Sequence, residues 1–447
     1  MTDPGSAASL QRPPLFRVRW KIYLFMWGLA LLAYLQQRGL AVAGVKIMPE
    51  LGLSQVELGW LETAFLIAYA GMQIPGGVLG QRLGARAMFV LIGTVAFVST
   101  LTVPLAPRVL TGAALFVVLL VAQFLFGASQ GPIFPVSSGV FEAWIRRRHW
   151  ALAQGLQSGG ANLGAAIVPP LVAWLMSEFD WQRALIWTTL PAFLLALWWG
   201  WYGRNSPAEH PGVTAAELAE LEGSVVAADQ RITLRRVWTV LKNRDVLLLT
   251  FAYACMNYTF YLLVNWCFLY LVQERHFALL EGGFMASAPP IGAAVGATVG
   301  GLLAAPLIRQ LGLRGGLRII PLLALPASAV LLFLAVDAAN PYIAVASLTL
   351  CFAAIEMTEG PFWAAVMEVA RADTMAATGV LNTGGNIGGI IATPIIAYLS
   401  GHHFWTAAFL IGSVFALTSA ATWLLVDPRR CMTGALVEQA PAGACTD

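Results

Sequence analysis

The segment GLQSGGANLGAAIVPP (residues 155–170) recurs in altered form as GVLNTGGNIGGIIATP (residues 379–394), a shift of 224 residues along the chain. The matched pairs are Gly155/Gly379, Gly160/Gly384, Asn162/Asn386, Gly164/Gly388 and Pro170/Pro394. Both segments are apolar and rich in small residues, a composition typical of helices that pack closely inside a membrane. The pair therefore indicates that the chain contains two related membrane-embedded units.

The repeat extends to two further predicted helices in the same order. Residues 76–79 (GGVL) fall on residues 300–303 (GGLL) with the same shift, and residues 130–132 (QGP) match residues 359–361 (EGP) with a slightly different one. Three helices in the right order make coincidence a poor explanation. A parallel duplication around a central linker is the architecture of major facilitator transporters.

The composition indicates a membrane protein. Of the 447 residues, 58% are hydrophobic and 11% are charged, so the chain carries more apolar surface than a soluble core could bury. Runs of about 20 apolar residues, long enough to cross a hydrocarbon core of about 30 Å, recur along the whole chain. Twelve are predicted, at residues 21–45, 56–79, 87–107, 110–141, 151–176, 183–203, 245–272, 283–308, 318–337, 342–367, 375–400 and 404–426. We therefore predict an all-α integral membrane fold with twelve transmembrane helices in two pseudo-symmetric six-helix bundles.

The longest polar segment divides the chain into domains. Residues 204–244 are predicted to form a cytoplasmic linker between an N-terminal bundle at residues 21–203 and a C-terminal bundle at residues 245–427. Thr214 followed by Glu217 forms a capping box, which predicts a short surface helix within the linker. The predicted polar tails comprise residues 1–20 and 428–447.

Basic residues predict the orientation. When loops are assigned alternately to two sides, 21 of the 26 Lys and Arg residues lie on the side of both termini and four lie on the other. The positive-inside rule then places both termini in the cytoplasm, with the protein in the inner (plasma) membrane. Residues 146–149 (RRRH) are interpreted as a cytoplasmic anchor rather than a nucleic-acid patch. The five cysteines show no metal or disulfide spacing, and no cofactor is predicted.

Resemblance to a known family is carried by four stretches of sequence. They are FLIAYAGMQIPGGVLGQRLGAR (65–86), FGASQGPIFP (126–135), LNTGGNIGGIIATPIIAYL (381–399) and, in the linker, RNSPAEHPGVTAAEL (204–218). These stretches are similar to the anion:cation symporter branch of the major facilitator superfamily, which includes sugar-acid and hexuronate permeases. The resemblance covers about residues 20–427, and it implies uptake of a carboxylate, usually together with protons.

The chain departs from that family where the resemblance implies charged residues. The family commonly has an acid before the arginine of helix 1, an acid in helix 4 and an arginine seven residues earlier, but this chain has Gln37, Gln130 and Gln123. Because an amide cannot take up a proton, coupling by that route is predicted to be absent, and Gln130 remains a candidate to bind substrate. Gln81 and Ala305 stand where the family's two signature loops have acids, which predicts weaker loop-to-helix charge contacts.

Arg38 is the main candidate for binding a substrate carboxylate. A charge at the bilayer centre costs roughly 2.5 to 3.5 kcal/mol, so an arginine inside predicted helix 1 needs a partner or a function. A guanidinium offers a bidentate site for a carboxylate and keeps its charge. The alternatives are a pair with a helix carboxylate and a side chain that reaches the outer surface.

Glu356 and Glu359 are the candidates for proton coupling. They are three residues apart in helix 10 and share a face, and Glu359 aligns with Gln130 in the internal repeat. A carboxylate removed from water is easier to protonate, whereas a nearby arginine opposes protonation. The alternative is a static pair between Arg38 and Glu359 that holds the two halves together.

Weaker candidates are polar residues one helical turn apart. Tyr69 and Gln73 in helix 2, and Asn382 and Asn386 in helix 11, could bind a solute or could form ordinary interhelical hydrogen bonds. A stripe on helix 7 could also face the cavity, namely Asn257, Tyr258, Tyr261 and Asn265. Trp363 could stack on a ligand or could serve in packing.

Glycines four residues apart could line a moving contact. Small residues at this spacing allow close helix approach, so Gly160/Gly164 and Gly384/Gly388 are predicted to lie between helices of opposite halves. Ordinary packing is the alternative.

These observations predict a secondary transporter rather than an enzyme. We expect a monomer in the lipid bilayer that carries a small organic anion, with a proton as a possible second partner, by alternating access. No GxxxxGK[ST] motif occurs, which argues against an ATP-driven pump. The alternatives are an uncoupled facilitator or exchanger, an exporter of less polar compounds, and a membrane sensor that binds solute without transport.

Overall fold

The structure, a computed structural model, describes residues 18–219, 234–277 and 279–430, and within these ranges every regular element is helical. The first half contains α1 (Val18–Leu51), α2 (Gln55–Gly71), α3 (Gln73–Leu83), α4 (Ala85–Leu105), α5 (Gly112–Gln130), α6 (Ile133–Trp144), α7 (Trp150–Glu178) and α8 (Trp181–Tyr202). Two short helices follow, α9 (Ala215–Ala219) and α10 (Leu234–Lys242). The second half contains α11 (Arg244–Gln273), α12 (Leu279–Met285), α13 (Ala288–Asp337), α14 (Pro341–Glu356), α15 (Glu359–Ala370), α16 (Thr374–Gly401) and α17 (Trp405–Trp423).

The number of membrane spans agrees with the predicted twelve. Ten helical segments of the described chain are long and apolar enough to cross a bilayer, and α2 with α3 forms one more span, bent by 52°. At 1.5 Å per residue the 50 residues of α13 extend about 75 Å, more than twice a hydrocarbon core. Gly312 interrupts α13 with φ 72° and ψ 170°, a conformation that glycine adopts without strain. The two arms of α13 therefore count as two spans.

Three spans are broken, and each break lies four residues before a proline. A proline ring clashes with the carbonyl group four residues earlier and donates no hydrogen bond to it, so the helix cannot continue straight. The three pairs are Gly71/Pro75, Gly131/Pro135 and Met357/Pro361. Because the breaks fall between α2 and α3, α5 and α6, and α14 and α15, they place polar residues at helix ends near the middle of the bundle.

The predicted spans differ from the observed helices mainly at these breaks and at the ends. α1 continues to Leu51, beyond the predicted end at residue 45, and a separate α12 precedes α13. In the linker the backbone N–H of Glu217 donates to Thr214 Oγ1 at 3.2 Å, so the predicted capping contact and short helix are present as α9. Most of the predicted tails, including Cys431 and Cys445, lies outside the described residues.

The two halves meet at the end of the bundle where α8 leads into residues 203–219, which we call the linker end. There α3 packs on the start of α16, and the start of α7 packs on the first arm of α13. A Cβ atom on Gly77 would clash with the Met375 carbonyl oxygen, and one on Gly155 would clash with the Ala297 carbonyl oxygen. Glycine is therefore required for the backbones of the two halves to approach this closely.

The prediction that Gly160/Gly164 and Gly384/Gly388 lie between helices of opposite halves is wrong. They pack inside one half, against the first helix of that half, and not between the halves. The contacts of an added Cβ would be Gly160 with Trp27, Gly164 with Leu31, Gly384 with Thr250, and Gly388 with Ala254. The inter-half contact instead uses Gly155 and Gly77, which lie nearer the linker end, where the two halves converge.

Candidate functional site

A cavity lies between the two halves, near the helix breaks. The space between the protein atoms there, including solvent at the open mouth, is about 510 Å³. Its lining includes two carboxylates, four asparagines and four tyrosines, which are Glu356, Glu359, Asn162, Asn257, Asn382, Asn386, Tyr34, Tyr69, Tyr253 and Tyr261. These residues come from both halves, so relative movement of the halves would change the shape of the cavity.

The two glutamates flank the break between α14 and α15 and have different partners. Glu356 Oε2 accepts a hydrogen bond from Asn162 Nδ2 at 2.7 Å and one from Ser158 Oγ at 3.3 Å, so it joins α14 to α7 across the halves. Glu359 Oε2 accepts from Trp363 Nε1 at 2.8 Å and from Tyr253 Oη at 3.2 Å, and both partners belong to its own half.

Neither glutamate has a cationic partner. Across the described part of the chain, no Lys or Arg nitrogen lies within 4.0 Å of the carboxylate of Glu356 or Glu359. The alternative of a static Arg38–Glu359 pair is therefore wrong for this conformation. Buried carboxylates that are held only by neutral donors can accept and release protons without breaking an ion pair.

Amides of the second half form the corresponding contact on the other side of the cavity. Asn382 Nδ2 donates to Gln73 Oε1 at 2.8 Å, which joins α16 to α3 across the halves. Asn386 Oδ1 accepts from Tyr261 Oη at 3.1 Å. Gln73 is fully buried and its Nε2 has no hydrogen-bond partner in the described residues. Of the weaker candidates, Tyr69, Tyr261, Asn382 and Asn386 thus line the cavity, whereas Gln73 lies behind Asn382.

Arg38 is not itself a lining residue of the cavity, but it lies one helical turn from the lining residue Tyr34 on the same face of α1. Its charge acts on three tyrosines that line the cavity, Tyr34, Tyr69 and Tyr261. It also acts on Glu62, an exposed residue of α2. Within the described ranges the half-buried guanidinium makes no hydrogen bond and has no carboxylate within 4.0 Å. It can therefore accept an anionic ligand without first losing a protein partner.

Two predicted polar residues, Gln130 and Tyr258, do not line the central cavity. Gln130 is buried beside a small separate void inside the first half, together with Gln36. Tyr258 is fully buried inside the second half and stacks on Phe415, and it does not line the cavity. Both positions depend on how α5 and α11 are rotated about their axes. The spacing of residues along one helix does not reveal that rotation.

Sequence reasoning missed several residues of the cavity. Asn162 and Ser158 in α7, Tyr34 in α1 and Tyr253 in α11 line it, although none was a candidate. A signal for Asn162 was present, because the repeat pairs it with the candidate Asn386. The tyrosines carried no such signal, since a tyrosine in an apolar helix is typical of packing.

An ion pair joins the halves at the linker end. Arg147 Nε lies 2.6 Å from Glu368 Oε2, with Glu368 almost fully buried, and Arg371 Nη2 lies 3.6 Å from the same oxygen. At the same end, Trp144 Nε1 donates to the carbonyl group of Arg204 at 3.2 Å and its ring packs edge-on against His210, which attaches the linker to α6. The linker end is therefore held by charge as well as by glycine contacts.

Comparison with known proteins agrees with this architecture. Solved structures with similar folds include the Escherichia coli fucose:proton symporter, with a TM-score of 0.68, 15% identity, and coverage of 93% of this chain and all of that one. An outward-facing bacterial homologue of the iron transporter ferroportin gives a TM-score of 0.72 at 11% identity, with coverage of 92% and 99%. At these identities the likeness shows the fold alone.

Curated relatives are similar over nearly the whole chain. A probable sulfoacetate transporter of Cupriavidus necator is 27% identical, with 89% of this chain and 91% of the relative covered. A probable galactarate/D-glucarate transporter of Bacillus subtilis is 27% identical, with 95% of each chain covered. These similarities confirm the predicted resemblance to sugar-acid permeases. The sequence model of the Major Facilitator Superfamily matches residues 26–393, and the chain belongs to that family of multi-pass membrane proteins.

Proposed function

We propose that the protein is a secondary transporter that carries a small organic anion across the inner (plasma) membrane by alternating access. The observation that carries this proposal is the half-buried guanidinium of Arg38, whose charge acts on three tyrosines that line the cavity between the halves and which has no carboxylate within 4.0 Å in the described chain. An anionic ligand would supply that missing partner. The relatives named for sulfoacetate, galactarate/D-glucarate and D-galactonate support an acid as cargo.

The remaining cavity residues suit a hydrated or hydroxyl-bearing anion. Asparagine amides both donate and accept hydrogen bonds, and tyrosine hydroxyls do the same. A ligand carboxylate beside Arg38 would leave the rest of the molecule facing Asn382, Asn386 and Tyr261. Tyr69 also lines the cavity and is within reach of the Arg38 charge, so its hydroxyl would be a further contact for the ligand.

We infer that the linker end faces the cytoplasm, with both termini on that side. The excess of basic residues at this end supports the assignment. The linker end is closed by the Arg147–Glu368 ion pair and the glycine contacts, which corresponds to the state of a carrier that admits solute from outside. The protein functions as a monomer, because each chain contains both halves of the cavity.

Glu356 and Glu359 are the proposed proton sites. Both are buried in the cavity with neutral hydrogen-bond partners, and Glu356 connects the halves. A proton on Glu356 would weaken its contact with Asn162, since hydrogen bonds to charged groups are about twice as strong as neutral ones. Proton binding would thereby be linked to separation of the halves.

Counterflow in proteoliposomes tests the proposal. The assay uses labelled galactarate, galactonate and sulfoacetate with wild-type protein, Arg38→Ala, and the matched control Arg108→Ala, which removes an exposed arginine elsewhere. Loss of the charge partner of a bound anion costs about 2 kcal/mol or more, so we expect flux at low substrate to fall about 30-fold or more in Arg38→Ala. Arg108→Ala should be unchanged. Undiminished flux in Arg38→Ala would refute Arg38 as the anchor.

A proton readout tests the coupling separately. Internal pH is followed while substrate enters, in wild-type protein and in Glu359→Gln and Glu356→Gln. We expect substrate-driven proton entry to be lost in at least one variant while counterflow persists. Unchanged proton entry in both variants would refute the coupling role of this pair.

An uncoupled exchanger is the second candidate. Gln37 and Gln130 favour it, because both stand where the resembling family has acids that can be protonated. This candidate predicts full counterflow without any proton movement in wild-type protein.

A further inference from the structure

A second charged cluster lies outside the transport cavity, at the linker end of the second half. It is formed by Arg314 and Arg318, just after the break in α13, and by Asp427 and Arg429, just after α17. Arg429 Nε lies 3.0 Å from Asp427 Oδ1, and Arg314 Nη1 lies 3.7 Å from Asp427 Oδ2. We call these four residues, with Asp245, the C-half cluster.

The cluster is built on a rigid frame. Arg318 Nη2 donates to the carbonyl groups of Leu424 and Val426, which terminate α17. Asp245 Oδ1 accepts from the backbone N–H of Asp427 at 2.9 Å and thereby ties the start of α11 to the same segment. The Arg429 guanidinium beside Asp427 is the main cause that lowers the pKa of that carboxyl to about 2, so Asp427 is charged at any physiological pH.

Positive charge remains in excess after these contacts. Three guanidinium groups face two carboxylates, and Arg430 adds a further exposed cation. Arg314 makes no hydrogen bond to any described residue, and its nearest carboxylate is 3.7 Å away, too far for a hydrogen bond. The side chains of Arg314 and Arg429 are 43% and 56% exposed, so their donors can reach a ligand.

Apolar side chains surround the same guanidinium groups. Leu311, Leu424 and Leu425 are each more than half exposed, next to Arg314 and Arg318 in the chain or in space. An exposed leucine at a membrane-spanning bundle faces acyl chains, whereas an arginine at the end of a span lies at the depth of lipid phosphates. Donors for a phosphate and a surface for two acyl chains therefore lie side by side.

We propose that the C-half cluster is a binding site for the headgroup of an anionic phospholipid. The phosphate lies between Arg314 and Arg429, and the acyl chains lie along Leu311, Leu424 and Leu425. A net-negative headgroup is favoured over a zwitterionic one because the cluster carries excess positive charge. The assignment of the site to the cytoplasmic leaflet rests on the proposed orientation. The proposed lipid binding does not depend on that orientation.

Native mass spectrometry of the purified full-length protein tests the site. The probes are phosphatidylglycerol, phosphatidylcholine with the same acyl chains, and glycerol phosphate, which has the headgroup without the chains. The variants are Arg314→Gln, Arg429→Gln and the charge-conserving Arg314→Lys, with Arg108→Gln as a matched control. We expect wild-type protein to retain phosphatidylglycerol in preference to phosphatidylcholine, with glycerol phosphate not retained.

Each lost guanidinium should weaken phosphatidylglycerol binding about fivefold, since an arginine near an anionic surface contributes about 1 kcal/mol. Arg314→Lys should stay within about twofold of wild type, and Arg108→Gln should not differ. Equal retention of the two lipids, equal binding of glycerol phosphate, or full binding in the Arg314→Gln/Arg429→Gln double variant would each overturn the proposal. Repetition in Arg38→Ala separates the two proposals, because loss of transport there should leave lipid binding intact.

Discussion

The two halves are joined across the cavity by two contacts whose donors lie on helices that the internal repeat relates, whereas the acceptors do not correspond in the repeat. On one side Asn162 of α7 donates to Glu356, and on the other Asn382 of α16 donates to Gln73. α7 and α16 are the repeated helices, and their donors lie one turn apart within the repeat, since Asn382 aligns with Ser158. The donors are amides in both contacts, but only one acceptor is a carboxylate.

This difference indicates how a symmetric frame can respond asymmetrically to a proton. Protonation can weaken the Glu356 contact, whereas nothing in the Gln73 contact titrates. The first contact is therefore suited to sense protons and the second to hold the halves in register. Variants that make both contacts neutral, or that remove one contact, test this difference between the two contacts, and their expected effects decrease in the order given below.

Glu356→Gln makes both contacts neutral and should have the largest effect. One proton moving with a monoanion over a gradient of about two pH units sustains roughly 100-fold accumulation, because each unit is worth about 1.36 kcal/mol. We expect the variant to lose this accumulation and to retain counterflow, as measured by uptake of labelled substrate into proteoliposomes with and without the pH gradient. Accumulation at the wild-type level would show that Glu356 does not sense the proton.

Asn162→Ala and Asn382→Ala compare the two contacts directly. A hydrogen bond to a charged group contributes about 1.5 kcal/mol or more, and a neutral one about 0.5 to 1 kcal/mol. Opening of the linker end should therefore rise about tenfold in Asn162→Ala and about threefold in Asn382→Ala. Spin labels at the exposed positions Arg148 and Gln310, one on each half, report the distance. Equal changes at neutral pH would mean that Glu356 is already protonated there.

Arg147→Gln removes the inter-half ion pair at the linker end without touching either cavity contact. The pair is partly exposed, and Arg371 continues to neutralise Glu368, so the expected loss is about 1 kcal/mol, or fivefold more opening of the linker end. The same spin-label pair measures it. Because no cavity residue changes, the pH dependence of opening should match wild type, and an altered pH dependence would contradict the assignment of proton sensing to the cavity.

The sequence was sufficient for the fold because a membrane imposes strong constraints. Apolar runs of the right length and the repeat of residues 155–170 at 379–394 predicted twelve spans in two bundles. The cause of the helix breaks is also present in the sequence, because a proline stands four residues after each of Gly71, Gly131 and Met357. We did not predict from these prolines that the spans are broken.

The site was predictable only in part. Arg38, Glu356 and Glu359 were recognisable because charge is rare in these spans, so each charged residue is conspicuous. Asn162, Tyr34 and Tyr253 were not, since amides and phenols are common packing residues and their role depends on which way each helix is rotated. Gln130 does not line the central cavity for the same reason, because the rotation of α5 directs it toward a void within its own half.

A substitution at Gln81, on the side of the neutral contact between Asn382 and Gln73, is expected to have the smallest effect. The resemblance to the family predicted that loss of an aspartate here weakens the loop-to-helix contact, yet Gln81 Oε1 still accepts a hydrogen bond from the backbone N–H of Ala376, in the first turn of α16. The geometry is thus retained without the charge. A carboxylate in the first turn of a helix is favoured by about 0.3 to 1 kcal/mol.

Gln81→Asp should accordingly stabilise the closed linker end about twofold to threefold, because α3 would hold α16 more firmly on the side where Gln73 meets Asn382. The spin-label pair should show a smaller open fraction, and Asn382→Ala in the same background should recover it. The shift should be the same at every pH above the ordinary aspartate range, near 4, since the new group is fully charged there. A shift that instead varied with pH between 6 and 8 would mean that the two sides of the cavity titrate together, and the distinction between a proton-sensing contact and a structural one would fail.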